Sequence, residues 1–567
     1  MNYSTLIDDY TLIFKSMFDL KELLASSPYE HIDLDDTEIT LETISQVAQS
    51  TLDPLQRSSD LHPAELVNGI VQTPPGFENG YKTLAELGVM GMTAETKYGG
   101  SGFPYLVQNA VNEMINGACI SLCLNPLLTQ SQIEALQKFA SEPIKELVIP
   151  KLVSGEWYGT MNITEAQAGS DVSGIQTEAK LGHDQKYRVT GQKIYISWGD
   201  ADFVKNVCHL VLARVPDAPK GTKGLSLFLV LKYLEDAQGN FTKLNRLKVL
   251  SLEKKLGLHG SPTATMYFDS AEALLIGQPN KGLEAMFAMM NSARLGVGSQ
   301  GLGVAEAAFQ KAKAYALDRQ QGSVNGQPQV IIQHPDIQRM LAIMRVQIFS
   351  ARAICSACAY ALDKAKMKNE KYWHDRAALL TPIAKFYGSE TGVEVSNLAI
   401  RIFGGIGYIE ATGMTQYLRD SLVTTIYEGT NGIQAHDLVI RKLGKNGEIL
   451  FNILSEVEAF CQNTPELSNQ YVEELERAGK EIAHTTQWII KQVNSFEVKA
   501  GAQAYMRALA TYLGSFYHLQ RYHFFTANEK QMDLLEVCFS RFLPYVYPLC
   551  TEVKAGHSGL EEFVSTL

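Results

Sequence analysis

The feature that most restricts how this chain can fold is a double switch in the period of its apolar residues. Up to about residue 155 they recur at helical spacing, as in Leu6, Tyr10, Ile13 and Met17, in Ile133, Leu136 and Phe139, and in Ile144, Leu147 and Val148. From about 156 to 276 the texture changes to short strand-like runs: Tyr187 to Ile196, His209 to Val215, Leu225 to Leu231 and Thr263 to Phe268. Gly, Asp and Pro separate these runs, as they do in β structure. After Gly282 the helical period returns, and Ile337, Met340, Leu341, Met344, Ile348, Ala351, Cys355, Cys358 and Leu362 trace one stripe of a long helix. A single core does not serve 567 residues. The reading is therefore a multidomain α+β chain: a helical domain at 1–155, a β domain at 156–276, a helical bundle at 277–443 and a further helix-rich domain at 444–567.

Charge and composition narrow the function. The formal net charge of -11 argues against a broad nucleic-acid footprint. Apolar stretches such as Leu225 to Leu231 fall well short of the ~20 residues that cross a bilayer. The run through Asp8 and Asp9 is acidic where a targeting segment needs positive charge. A cytoplasmic protein without a transmembrane segment is expected. Its eight cysteines, spread over the whole length, read as reduced thiols.

Two motifs are better explained by packing than by chemistry. Gly296-Val297-Gly298-Ser299-Gln300-Gly301 has dinucleotide-fingerprint spacing, but that motif works on a strand-to-helix turn. Here Leu283, Met286, Phe287 and Met290 precede it at helical spacing, so the glycines are expected to bring one helix close to a neighbour or a ligand. Cys355 and Cys358 lie on the apolar stripe and read as buried helix packing. No metal-ligand spacing is found, and His334 before Pro335 reads as a helix start.

Other stretches carry more information. Lys97 to Pro104, with three glycines and a proline, is a loop. Met161 to Glu165, followed by Ala168-Gly169-Ser170-Asp171, offers a hydroxyl and free amides suited to a phosphate or a planar polar ring. Lys193 to Trp198 places aromatic and hydroxyl groups at a strand end, where a flat cofactor could pack. Phe403-Gly404-Gly405-Ile406-Gly407-Tyr408, and then Tyr427-Glu428-Gly429-Thr430-Asn431-Gly432-Ile433-Gln434, combine close-approach glycines with a carboxylate in a Gly-flanked turn.

In this order, over about residues 80 to 443, the set resembles the acyl-CoA dehydrogenase family. The resemblance implies an N-terminal helical domain, a middle β-barrel domain and a C-terminal four-helix bundle, followed here by additional C-terminal helices. It implies FAD as cofactor, with Ile163, Thr164 and Ser197 holding the flavin ring and Tyr195 in place of the usual tryptophan. Ser170 matches a serine at the pyrophosphate and pantetheine path. Arg319 and Gln321 match the pair that reaches the FAD of a neighbouring subunit, so a homo-oligomer, with a dimer favoured, is expected. Gly404, Gly405 and Gly407 match the loop under the adenosine diphosphate, and Thr430 and Asn431 lie where the bundle closes over FAD. Asn291, Arg294 and Gly429 match positions at the acyl-CoA. Arg401, where the family usually has glutamine, is a cation near the FAD phosphates. Ala166-Gln167 replaces the familiar Pro-Gly, so that loop is expected to be reshaped.

Glu428 matches the catalytic glutamate. The other family position for the base, just before the coenzyme A arginine, is Ala293 in this chain. The implied reaction is α,β-dehydrogenation of an acyl-CoA to the trans-2-enoyl-CoA. Glu428 takes the α-proton, hydride passes to flavin N5, and electrons leave to an electron-transfer flavoprotein. The long N-terminal lead, the continuation through Ala435 and the extra C-terminal stretch are most similar to the 3-methylmercaptopropionyl-CoA dehydrogenase type. Bacterial fatty acyl-CoA dehydrogenases of similar length share that layout, so both substrate classes stay open. Two other readings use the same fold: a flavin oxidase or monooxygenase, and a nucleic-acid-associated relative, which the negative charge and the retained Glu428 disfavour.

Overall fold

The computed structural model describes residues 3–5, 7–324, 326–444, 446–465, 467–492, 495–524 and 532–567. The chain divides into two compact units. One comprises Thr43–Pro104 and Met114–Ala293; the other comprises Met1–Glu42, Tyr105–Glu113 and Arg294–Leu567. The elements needed below are helix α1 (Tyr105–Phe139), strands β1 (Trp157–Asn162), β2 (Glu178–Leu181), β3 (Tyr187–Ser197), β4 (Asn206–Arg214), β5 (Leu225–Leu231), β6 (Leu247–Leu252) and β7 (Thr263–Ile276), and helices α2 (Gly282–Asp318), α3 (Pro335–Lys368), α4 (Lys371–Phe403), α5 (Asn431–Asp437) and α6 (Ala502–Phe524).

In the first unit the strands form a seven-stranded sheet whose path returns on itself. β7 pairs with β3, β3 with β2, β2 with β4, β4 with β5, and β5 again with β7. Closure makes the barrel that the resemblance implied and leaves β6 and β1 attached outside the ring. The runs read as strands from sequence are β3, β4, β5 and β7. Every residue of β5 is buried, which is why its sequence, Leu-Ser-Leu-Phe-Leu-Val-Leu, is nearly unbroken apolar rather than alternating. Val189, Val211, Phe228, Met266 and Phe268 meet in the barrel core.

The second unit is mainly helical, with an antiparallel hairpin of strands Gln320–Val324 and Gln327–Val330. α3 begins at Pro335 with His334 as its N-cap residue, as the sequence suggested. The Gly298 and Gly301 positions of α2 confirm the packing reading of the glycine motif. A Cβ at Gly298 would lie 2.6 Å from the Ala384 carbonyl oxygen of α4, and one at Gly301 would lie 2.3 Å from that of Gly388. Glycine is required here because the two backbones touch. Cys355 and Cys358 are buried in α3, and all eight cysteines are buried free thiols. α3 is also long and apolar enough to cross a membrane, but most of its apolar window is buried inside the protein.

The centre of this unit is ionic. The wholly buried Arg352 guanidinium of α3 holds Glu113 of α1, Asp9 and Glu306 of α2, while Arg345 binds Asp9 and Glu306, and Arg521 of α6 reaches Asp9. Three carboxylates therefore face three guanidinium groups. Burial alone would raise the Asp9 carboxyl, but Arg345, Arg352 and Arg521 pull it down to about 2. Charges removed from water are tolerated only when matched in this way. Nearby, Asp363 accepts the Tyr105 and Leu106 amides at the start of α1 and the Tyr29 hydroxyl. The C-terminal helices belong to the same compact unit as the bundle. Gly514 of α6 lies so close to α3 that a Cβ there would be 2.6 Å from the Ser350 side chain.

Candidate active site

Glu428 sits in the turn between a short 3-10 segment, Val423–Thr425, and α5. Glu428 and Gly429 both adopt left-handed backbone angles, with φ of +55° and +83°. That conformation is unremarkable for Gly429 but costs a side-chain-bearing residue of order 1–3 kcal/mol, and such strain tends to persist at functional sites. The turn is held from several sides. Arg294 Nε donates to the Glu428 carbonyl at 3.3 Å, and Gln434 Nε2 donates to the same oxygen at 3.2 Å and to that of Gly429 at 3.3 Å. The Thr430 hydroxyl caps α5 by accepting from the Ile433 amide. The Tyr427 hydroxyl donates to Gln300 of α2 at 2.5 Å.

What the turn leaves unbound is its chemistry. Although Glu428 as a residue is half-buried, its Oε2 is shut off from solvent and has no hydrogen-bond partner among the described residues. Burial lifts the carboxyl to about 7, against the pull of Arg294 and Lys385. The Glu428 amide likewise has no backbone acceptor among the described residues. A carboxyl near neutrality and an N–H without a backbone acceptor, both from one residue, are chemically suited to enolisation beside a carbonyl.

Arg294 is nearly buried and lies 3.9 Å from Asp437, so part of its role is to hold the turn. Asn431 is a further surprise. Its Oδ1 accepts from Lys385 Nζ at 2.8 Å and its Nδ2 donates to Glu390 at 2.7 Å, so its side chain is committed to the protein rather than presented outward. Arg319, Gln321, Arg401, Gly404 and Gly405 are exposed in this unit, and open space lies beside Gly404 and Gly405. Gly407 instead lies against α4, where a Cβ would be 2.5 Å from the Ile400 carbonyl oxygen. Leu317, Ile406, Tyr408 and Ile409 are exposed apolar residues of the same two segments.

The remaining expected residues belong to the barrel unit. The Ile194 amide donates to the Thr164 carbonyl at 2.9 Å, and Lys193 Nζ donates to that of Ile163 at 3.0 Å, so the 163–164 segment is tied to β3. At the end of β3, Tyr195 has a φ of +59° and is 62% exposed, an aromatic face without cover. Ser197 is half-buried, and Ser170 and Asn291 are exposed. Gln167 braces its loop by donating to Glu165 at 2.6 Å and to the Gly174 carbonyl at 3.1 Å. His259 is engaged by Asp60 at 2.8 Å and by the Lys255 carbonyl.

Sequence reading missed Lys385, Glu390 and Lys193. The available signal was a lone charge inside an apolar helical stretch, Ile383-Ala384-Lys385-Phe386. Such a residue is buried at a cost and therefore partnered.

Comparison with known proteins agrees with this fold. Family models for the acyl-CoA dehydrogenase N-terminal, middle and C-terminal domains match residues 35–156, 160–271 and 280–443. The chain is 40% identical to a 3-methylmercaptopropionyl-CoA dehydrogenase of Ruegeria pomeroyi over 79% of its length and 77% of that protein's. Among solved structures, the butyryl-CoA dehydrogenase of Megasphaera elsdenii superposes with a TM-score of 0.60 at 27% identity, covering 72% of this chain and 98% of that one. An acyl-CoA dehydrogenase of Bacillus anthracis complexed with FAD shares the fold over 96% of this chain and 92% of its own, with a TM-score of 0.74 and 20% identity.

Proposed function

This chain belongs to the acyl-CoA dehydrogenase family, and on that premise we propose that Glu428 removes the α-proton of an acyl-CoA thioester whose β-hydrogen leaves as hydride. The observation that carries the reading is the Glu428 carboxyl, enclosed, unpartnered at Oε2 and lifted to about 7. A carboxylate that is satisfied by the protein has no reason to take a proton from carbon. The free Glu428 amide would donate to the thioester oxygen as negative charge develops there.

The enzyme is an FAD-dependent oxidoreductase, and the residues present suit that cofactor. Tyr195 offers an uncovered aromatic face beside Ile163 and Thr164, and Ser197 adds a hydroxyl at the same strand end. Open space beside Gly404 and Gly405, with exposed Arg319 and Gln321, suits a nucleotide approaching from outside the chain. When bound, FAD supplies the hydride acceptor. The exposed Leu317, Ile406, Tyr408 and Ile409 favour a homo-oligomer in which these segments meet the FAD of a second copy. Ser170, Asn291, Arg294 and Gly429 would contact the acyl-CoA.

The acyl group in this reading is 3-methylmercaptopropionyl or a fatty acyl chain, the substrate classes in the names of similar proteins, and the acceptor is an electron-transfer flavoprotein. Flavin bleaching by a panel of acyl-CoAs, with and without that acceptor, tests the reading. Reduction of the flavin by at least one saturated acyl-CoA is expected. Failure with every thioester in the panel would remove the dehydrogenase function.

A further inference from the structure

Lys385 lies in the middle of α4 with its side chain wholly buried, yet its only hydrogen bond among the described residues goes to a neutral amide oxygen, Asn431 Oδ1 at 2.8 Å. A buried ammonium so poorly matched is costly, and an apolar side chain would fill the space at less cost. Asn431 is three residues beyond Glu428, and its orientation is fixed at both ends. Its oxygen accepts from Lys385, while its nitrogen donates to Glu390 Oε1 and to the Ser389 hydroxyl. Glu390 Oε2 in turn accepts from Arg507 Nη2 of α6 at 2.9 Å, and Arg507 also binds Glu394. A continuous chain of contacts therefore runs from the C-terminal helices to the turn that carries Glu428.

We propose that Lys385 is a positioning residue for the base, placing a buried positive charge that opposes protonation of Glu428, and that Arg507 of α6 fixes this charge through Glu390 and Asn431. Its catalytic consequence rests on the reading of Glu428 as base. Burial pushes the Lys385 ammonium down to about 7, with Glu428 and Glu390 pulling it up and Arg294 pushing it down. Lys385 acts on Glu428 from beyond ion-pair distance, for the two form no salt bridge among the described residues. That separation matters. A direct ion pair would hold the proton-accepting oxygen, whereas a charge at a distance opposes the protonation that burial favours and leaves the oxygen free. The charged groups around Glu428 are Arg294 on α2, with Asp437 and Arg441 behind it, and Lys385 on α4, with Glu390 and Arg507 behind it. Tyr427 adjoins it within the turn.

The test uses the full-length, FAD-loaded enzyme and four variants: Lys385→Met, Lys385→Arg, Arg507→Met and Arg507→Lys. Titration of the Glu428 carboxyl is followed by difference infrared spectroscopy, with its band identified by loss in Glu428→Gln. The pH dependence of flavin bleaching is measured in parallel. Lys385→Met is expected to move the carboxyl titration upward by about one pH unit or more. Arg507→Met should move it in the same direction by less, and the two charge-conserving variants should stay near wild type. Should Lys385→Met fail to fold, Arg507→Met decides alone. An unmoved carboxyl titration in the folded neutral variants overturns the proposal. A carboxyl that moves while the bleaching profile does not upholds Lys385 as its electrostatic partner and removes Glu428 as the base.

Discussion

Glu165 and Glu428 are two enclosed glutamates, each with a threonine close by in sequence, and their carboxyls go in opposite directions. At Glu165, burial would raise the carboxyl, but Lys193 at 2.8 Å, the Thr177 hydroxyl and the Gln176 and Thr177 amides bring it down to about 2. At Glu428 burial meets two more distant cations and no donor at Oε2, and the carboxyl rises to about 7. Burial is common to both. A close counter-charge and several donors separate a carboxylate that ties a loop to a strand from one left able to accept a proton.

The sharpest way to break this contrast is Glu428→Gln. Removing a general base typically costs 10²–10⁴-fold, so flavin bleaching should fall by about 10³-fold or more in stopped flow, with FAD retained. Wild-type bleaching would end the comparison. Next in size is Lys193→Met, which strips Glu165 of its counter-charge and frees the Ile163 carbonyl. Breaking one side of a buried pair costs about 3–5 kcal/mol, readable in urea unfolding, and a loss below ~1 kcal/mol would show that Glu165 does not depend on the pair.

The two glutamates should also mark stability with opposite pH dependence. Glu428 has a folded value raised from 4.5 to about 7, so its contribution is full below about 4.5 and is lost as pH rises through about 7. Glu428→Gln should therefore gain on the order of 2 kcal/mol relative to wild type at pH 8 and little at pH 4. Equal stability at both pH values would contradict the raised carboxyl. For Glu165, lowered to about 2, the contribution is present above about 4.5 and lost as pH falls toward 2. The smallest effect is expected for Thr177→Val, which deletes one of several donors to Glu165. About 1 kcal/mol is expected, with its effect fading in acid as Glu165 protonates, and an undiminished effect at pH 2 would argue against a charged acceptor.

Much of the molecule was legible in the sequence. The strand-like runs at Tyr187, Leu225 and Thr263 and the stripe on α3 are local periodicities, and periodicity survives in any single chain. The glycines of α2 were readable as close-packing residues because helical spacing surrounded them. Asn431 was legible only by position: the sequence placed it near the cofactor, whereas the fold commits its side chain to Lys385 and Glu390. Arg352, Glu113 and Asp9 lie far apart along the chain, and nothing local pairs them.

By itself the sequence determined the order of helical and strand-forming regions, the Gly-flanked turn around Glu428 and, through Ala293, the absence of a carboxylate at the alternative position for the base. Only the tertiary structure decided that Glu165 is satisfied and Glu428 is not, and that a helix from the C-terminal stretch reaches the network behind Glu428. The physical reason is that period and turn chemistry are set by neighbours in the chain, while desolvation and donor count are set by residues that meet only on folding. Glu428 and Lys385, 43 positions apart by their numbering, acquire their charges' meaning from that encounter.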